Sequence, residues 1–223
     1  MRTRPSDIVT VSLLLACGGT ASASVIDSAA YFTSVPHTRI TWEADGAGSP
    51  VALMQGASQV MPTNAYSTLG LMFETQVRWI NDGTGAFDAA QATGGGSPAN
   101  AIPSSLVNTF AFTFTVPVRS FGFWLANNRG ADPAGPTIQA FDAQGQLIES
   151  VQFGGSLVDG SITVGQTTAD YGFMGIESQA DIARVVVTKQ AAIFDDLYFS
   201  VVPAPASAGV LALGLLAAGR RRR

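Results

Sequence analysis

Apolar and polar residues alternate with a period of two along much of the chain. Phe110-Ala111-Phe112-Thr113-Phe114-Thr115-Val116 keeps the alternation for seven residues. Thr137 to Asp142 alternates, Gln144-Gly145 supplies a turn, and Leu147 to Phe153 resumes, which predicts a hairpin. Further strands are predicted at Arg39–Trp42, Leu71–Glu74, Val77–Trp79, Phe121–Leu125, Ile182–Thr188, Ala192–Phe194 and Leu197–Val201. Gly and Pro fill the gaps, as in GTGAFDAAQATGGGSPAN (83–100) and NNRGADPAGP (127–136). No long stretch carries a helical period. Many short strands between turn signals predict an all-β protein, an antiparallel β-sandwich of jelly-roll-like form. The Phe-rich alternation would supply the facing inner surfaces of its two sheets.

The two ends break this pattern. Arg2 and Arg4 precede the apolar run Ile8–Ala16, and small residues follow from Gly18 to Ser24. A basic start, a short apolar centre and a small-residue exit make a secretory signal peptide. Ala21-Ser22-Ala23 fits the Ala-x-Ala rule, so residues 1–23 are assigned to the signal, with cleavage after Ala23. Leu14-Leu15-Ala16-Cys17-Gly18 is similar to the lipobox of bacterial lipoproteins. With a complete Ala-x-Ala site present, Cys17 is taken as an apolar residue of the signal, and the mature chain then has no cysteine. At the other end Pro203-Ala204-Pro205 precedes an apolar stretch from Ala206 to Gly219 and the cluster Arg220, Arg221, Arg222, Arg223. As a helix the apolar stretch would span roughly 21 Å against about 30 Å of hydrocarbon, a marginal crossing. The arginines would stay on the cytoplasmic side.

This tail resembles the PEP-CTERM sorting signal of Gram-negative bacteria, with Ala204 where the family has Glu. The resemblance implies transfer to an exosortase-type membrane protease, cleavage near Pro203–Pro205, and release or surface attachment of the rest. An ordinary tail anchor in the inner membrane is the alternative, with the same topology. Between the ends, residues 24–202 form the predicted ectodomain. Its segments Tyr66–Phe73, Val118–Leu125, Phe141–Leu147, Phe173–Ser178 and Phe194–Phe199 resemble ectodomains that accompany such tails. The resemblance implies a structural or adhesive, non-enzymatic protein of the cell surface or biofilm matrix, associated with exopolysaccharide.

Composition narrows the partners. Charged residues are 13% of the chain, about half the usual share of roughly 25%. Residues 24–202 carry Arg39, Arg78, Arg119, Arg129, Arg184 and Lys189 against every acidic residue except Asp7, a net charge of about −9. Such a body disfavours anionic partners and excludes a nucleic-acid binder. One His and one Cys exclude a His/Cys metal cluster.

Candidate chemistry is sparse. Asp195-Asp196, before Leu197, places two carboxylates at a predicted strand start, and Ca²⁺ would neutralise them. Jelly-roll carbohydrate-binding modules carry a similar structural calcium. Glu43, Asp45 or Asp27 would complete such a site; otherwise the two Asp serve a turn. Asp82-Gly83-Thr84-Gly85 is taken as a plain turn. Trp42, Trp79 and Trp124 lie within strand patterns, where core packing is favoured over a sugar-stacking platform. His37 follows Pro36 and is placed on a surface loop. No catalytic residue is assigned, because no nucleophile elbow surrounds any Ser. A carbohydrate-binding module and a secreted carboxylate-based hydrolase remain as alternatives.

Overall fold

Alternation of this kind buries one face of a strand against a core, while the backbone N–H and C=O groups pair along its edges. In the computed structural model the residues described are 22–42, 44–51, 53–54, 57–75, 77–80, 97–100, 109–128, 134–154, 159–164, 167–188 and 192–201. Their strands are β1 (Ala23–Ile26), β2 (Thr38–Ile40), β3 (Ser58–Met61), β4 (Leu71–Phe73), β5 (Val77–Ile80), β6 (Ser97–Asn100), β7 (Thr109–Asn128), β8 (Thr137–Phe141), β9 (Leu147–Gln152), β10 (Gly160–Val164), β11 (Thr167–Thr188) and β12 (Ala192–Val201). All pair antiparallel in one sheet, ordered β3-β5-β6-β12-β7-β11-β8-β9. Beside that path β1 and β10 pair with β11, β2 with β12, and β4 with β7. Among the described residues the only helices are the 3-10 turns Ala29–Thr33 and Ser67–Leu69. The protein is therefore mostly antiparallel sheet, as the alternation predicts.

Two strands are longer than predicted. Phe110–Val116 and Phe121–Leu125 join in the single strand β7, and Ile182–Thr188 is only the end of β11, whose first half the alternation did not mark. Neither is straight. Seven extended residues span roughly 23 Å, yet the rings of Phe114 and Phe121 lie 6.1 Å apart, and Phe112 and Phe121 lie 6.3 Å apart. β7 therefore doubles back between them. The corner shows in the register: Val118 pairs with Ile182, but Thr113 pairs with Arg184. Pro117, which has no N–H to give a ladder, sits in that corner. A matching shift in β11 lies between Glu177 and Ile182.

The doubled sheet closes on the main core. Phe110, Phe112 and Phe114 alternate inward from one half of β7, and Phe121, Phe123 and Leu125 from the other. Phe194, Leu197 and Phe199 of β12 meet them, with Phe110 and Phe194 at 4.5 Å and Phe114 and Phe199 at 5.2 Å. These edge-on and tilted rings are the usual packing of aromatic quadrupoles.

The β8–β9 hairpin forms as predicted. Asp142 Oδ1 accepts from the N–H groups of Gln144 and Gln146 at 2.9 and 2.7 Å, and Gly145 takes φ 78°. Other expectations are corrected. Ser97–Asn100 pairs with β5 although it lies in a Gly-rich stretch assigned to turns. β1, β3 and β10 are strands that the alternation did not mark. Ala192–Phe194 and Leu197–Val201 are one strand, so Asp195-Asp196 lies in its middle rather than at its start.

Candidate functional site

The far side of the central strands differs from the core side. Where Phe121, Phe123 and Leu125 point inward, Gly122 and Trp124 fall on the opposite face. By the same alternation Phe173 of β11 and Tyr198 of β12 face outward, while Met174, Leu197 and Phe199 face inward. Gly122 and Gly175 stand opposite each other in the ladder. A Cβ on Gly122 would come within 2.6 Å of the Phe173 ring, so that ring covers bare backbone.

The 3-10 turn Ala29–Thr33 lays Phe32 across this face. Ser28 starts the turn in extended conformation, its Oγ accepting from the Ala30 N–H at 3.2 Å. Phe32 is buried, stacked on Tyr198 at 5.3 Å and edge-on to Phe173 at 6.1 Å. Trp124 lies edge-on to Phe173 at 5.4 Å. His37 is exposed, yet its ring is 5.8 Å from Phe32 and 5.6 Å from Tyr198, with Nδ1 3.0 Å from the Val35 carbonyl. Trp124, Tyr198 and Tyr31 are half-buried around this plug.

A charged group borders it. Asp196 is 1% exposed and Asp195 fully buried. Asp196 takes φ 47°, and β12 carries a bulge there against β7, between the Asp195–Trp124 and Tyr198–Gly122 pairs. Asp tolerates this left-handed backbone better than most residues. Arg39 of β2, opposite Tyr198, reaches across to Asp196. Its Nε donates to Oδ1 at 3.2 Å and its Nη2 to Oδ2 at 2.7 Å. The guanidinium carbon also lies 5.5 Å from the Tyr198 ring centre. A buried carboxylate needs such a matched charge. Asp195 Oδ1 accepts from the Asp196 N–H at 2.8 Å. Burial first, and then the Asp196 charge, push the Tyr198 hydroxyl pKa up, against the opposing pull of Arg39. Burial, above all, also raises that of Tyr31, opposed by Ser120 and assisted by Glu177.

Of the proposed calcium ligands, Asp195 and Asp196 stand side by side in β12. Arg39 supplies to Asp196 the positive charge that calcium was invoked for. Asp45 Oδ1 accepts from the N–H groups of Ala47 and Ser49, serving its own turn, and Asp27 is exposed. Glu43 lies outside the described residues, as does the Asp82–Gly85 turn. Among the described residues no three His, Cys, Asp or Glu side chains group as metal ligands. Trp42 and Trp79 belong to the main core, Trp79 Nε1 donating to the Tyr66 hydroxyl at 2.8 Å. Trp124 is separate from both. Its position was legible, since it alternates with Phe121, Phe123 and Leu125. The Arg39–Asp196 pair, 157 residues apart, carried no sequence signal.

At the ends, Ala23 opens β1, whereas Ala21, Cys17, Pro203, Ala204, Pro205 and Arg220–Arg223 lie outside the described residues. Among the described residues no helix is long and apolar enough to cross a membrane. Comparison with family models, curated proteins and solved structures finds no match to this chain.

Proposed function

We propose that this chain is an exported protein of the cell surface or extracellular matrix, with a structural or adhesive role beside exopolysaccharide. Its body is a two-layer, jelly-roll-like β-sandwich, and its PEP-CTERM-like tail is handled by an exosortase-type membrane protease. One observation carries this reading. Ser24 of β1 pairs with Glu177, Glu177 with Ser120, and Ser120 with Ser200 of β12, forming one row across four strands. The first strand starts at this row and the last one ends at it, three strand spacings or about 14 Å apart. A body so built presents both of its membrane-directed end segments from one end, so both can engage the same bilayer during export. The doubling of β7, with Phe114 against Phe121, supports the two-layer form. Deleting residues 203–223 tests the reading by cell fractionation. The full chain is expected to pass through the membrane fraction before reaching the envelope or medium, and the truncated chain to bypass it. Identical distributions of the two would contradict the proposal.

A second reading, neutral-glycan binding, is favoured by the half-buried rings of Trp124 and Tyr198 beside exposed His37. Flat aromatic faces suit the apolar faces of sugars, and the acidic body disfavours anionic polymers. Binding to a panel of neutral and uronate-rich polysaccharides checks it.

A further inference from the structure

We propose that the outer aromatic face takes a cationic glycan, a polymer of amino sugars whose ammonium groups meet carboxylates strung along β11. This deepens the glycan reading above and rests on it: the rings hold the sugar, and the carboxylates choose the amine. Three acidic side chains follow the β11 edge of the face. Asp159 Oδ2 accepts from the Phe173 N–H at 2.9 Å. Asp27 directly follows Ile26, which pairs with Gly175, and Glu177 pairs with Ser24. Phe173 to Glu177 is about 13 Å of extended chain, so the charges address a polymer rather than one small molecule. Asp27 and Asp159 are exposed and Glu177 is half-buried. Among the described residues none of the three is in an ion pair. The neighbouring cations are already matched, Arg39 by Asp196 and Arg119 by Asp181. The face therefore offers uncompensated negative charge beside aromatic rings, which is what an ammonium group seeks.

Hydroxyl groups complete the site. Ser24, Glu177, Ser120 and Ser200 form one row across four strands. Ile176, Phe121 and Phe199 point inward, so by alternation Glu177, Ser120 and Ser200 lie on the outer face. The Tyr31 hydroxyl lies beside Ser120 and Glu177, and both bear on its ionisation. Ser120 is fully buried, yet its Oγ makes no hydrogen bond among the described residues. A buried hydroxyl without a partner is costly. An ammonium group bound at Glu177 frees the Tyr31 hydroxyl to turn to Ser120, so the ligand completes the pairing of the row. A basic peptide would match the carboxylates but would not use the hydroxyl row as a polyol does.

The test is calorimetric titration of the exported protein with oligomers of glucosamine, of N-acetylglucosamine and of lysine. The glucosamine oligomer is expected to bind more tightly than its acetylated counterpart by about tenfold, the worth of one charge-assisted hydrogen bond. That preference should shrink as salt is added. Glu177→Gln should remove most of it, leaving the weaker binding of the acetylated oligomer and the melting temperature unchanged; Asp27→Asn should reduce it in part. Equal affinity for the two sugars, a preference that survives Glu177→Gln, or oligolysine binding as tightly as the glucosamine oligomer overturns the inference while leaving the glycan reading standing. Failure to bind either sugar oligomer or any neutral polysaccharide overturns the glycan reading as well.

Discussion

Arg39→Ala is the sharpest perturbation of the outer face. Asp196 is 1% exposed and receives two hydrogen bonds from the guanidinium, at 2.7 and 3.2 Å. Removing one partner of a buried ion pair costs about 3–5 kcal/mol, because the other charge stays desolvated. The Arg39 side chain is 37% exposed, so water reaches the gap and screens part of this loss. The expected destabilisation is about 2–3 kcal/mol. Arg39→Lys keeps the charge but not the fork, and recovers only about half of it. Asp196→Asn alone should cost about 1–2 kcal/mol, and the double variant less than the sum of the single changes. Urea unfolding with linear extrapolation measures all four, provided the slope is unchanged. If Arg39→Ala unfolds within about 0.5 kcal/mol of the parent, the ion pair does not hold β2 on β12 and the account of this face is wrong. Calcium addition to the same samples separates the two charge assignments. The melting temperature should stay constant for the parent, and a rise abolished by Asp195→Ala would show that the carboxylates hold a cation.

Further changes address backbone, ionisation and binding. Gly175→Ala would bring a Cβ to 2.1 Å from the Phe121 carbonyl oxygen, so backbone must move; a loss above about 2 kcal/mol in urea unfolding is expected. Gly145→Ala, in open space but at φ 78°, should cost only about 1 kcal/mol in the same assay. Tyr198 and Tyr31 ionise above the ordinary value of 10.0 in the folded chain. Their contribution to stability is therefore full below pH 10 and is lost as pH rises through the folded values. Tyr198→Phe should flatten that alkaline decline, as followed by unfolding and by phenolate absorbance. Trp124→Ala should abolish retention on a neutral polysaccharide while melting remains cooperative. Retention that survives the change would remove the glycan reading.

Local pattern made the strands legible, and long-range pairing hid the rest. The alternation at Phe110–Val116 correctly turns Phe110, Phe112 and Phe114 inward, because burial on one face is all that a period of two encodes. The 142–146 turn was legible because Asp and Gly there satisfy a local backbone geometry. The corner at Pro117 looked like a strand end, since the local signals for stopping and for bending are the same. Asp195-Asp196 looked like a break for a similar reason. Two carboxylates inside a strand are costly until a distant Arg39 arrives, and only the fold brings it. The Ser97–Asn100 strand was missed because its small residues carry no alternation, and its pairing comes from β5.

The central claim is that the body is delivered across a membrane and loses its terminal segments there. Intact-mass measurement on protein from cytosol, membrane, envelope and medium of a producing strain tests it most directly. The account predicts that the envelope or medium form lacks the leader and ends near Pro203–Pro205, without Arg220–Arg223. Recovery of the unprocessed 223-residue chain from the cytosol, with nothing in the outer fractions, would contradict it.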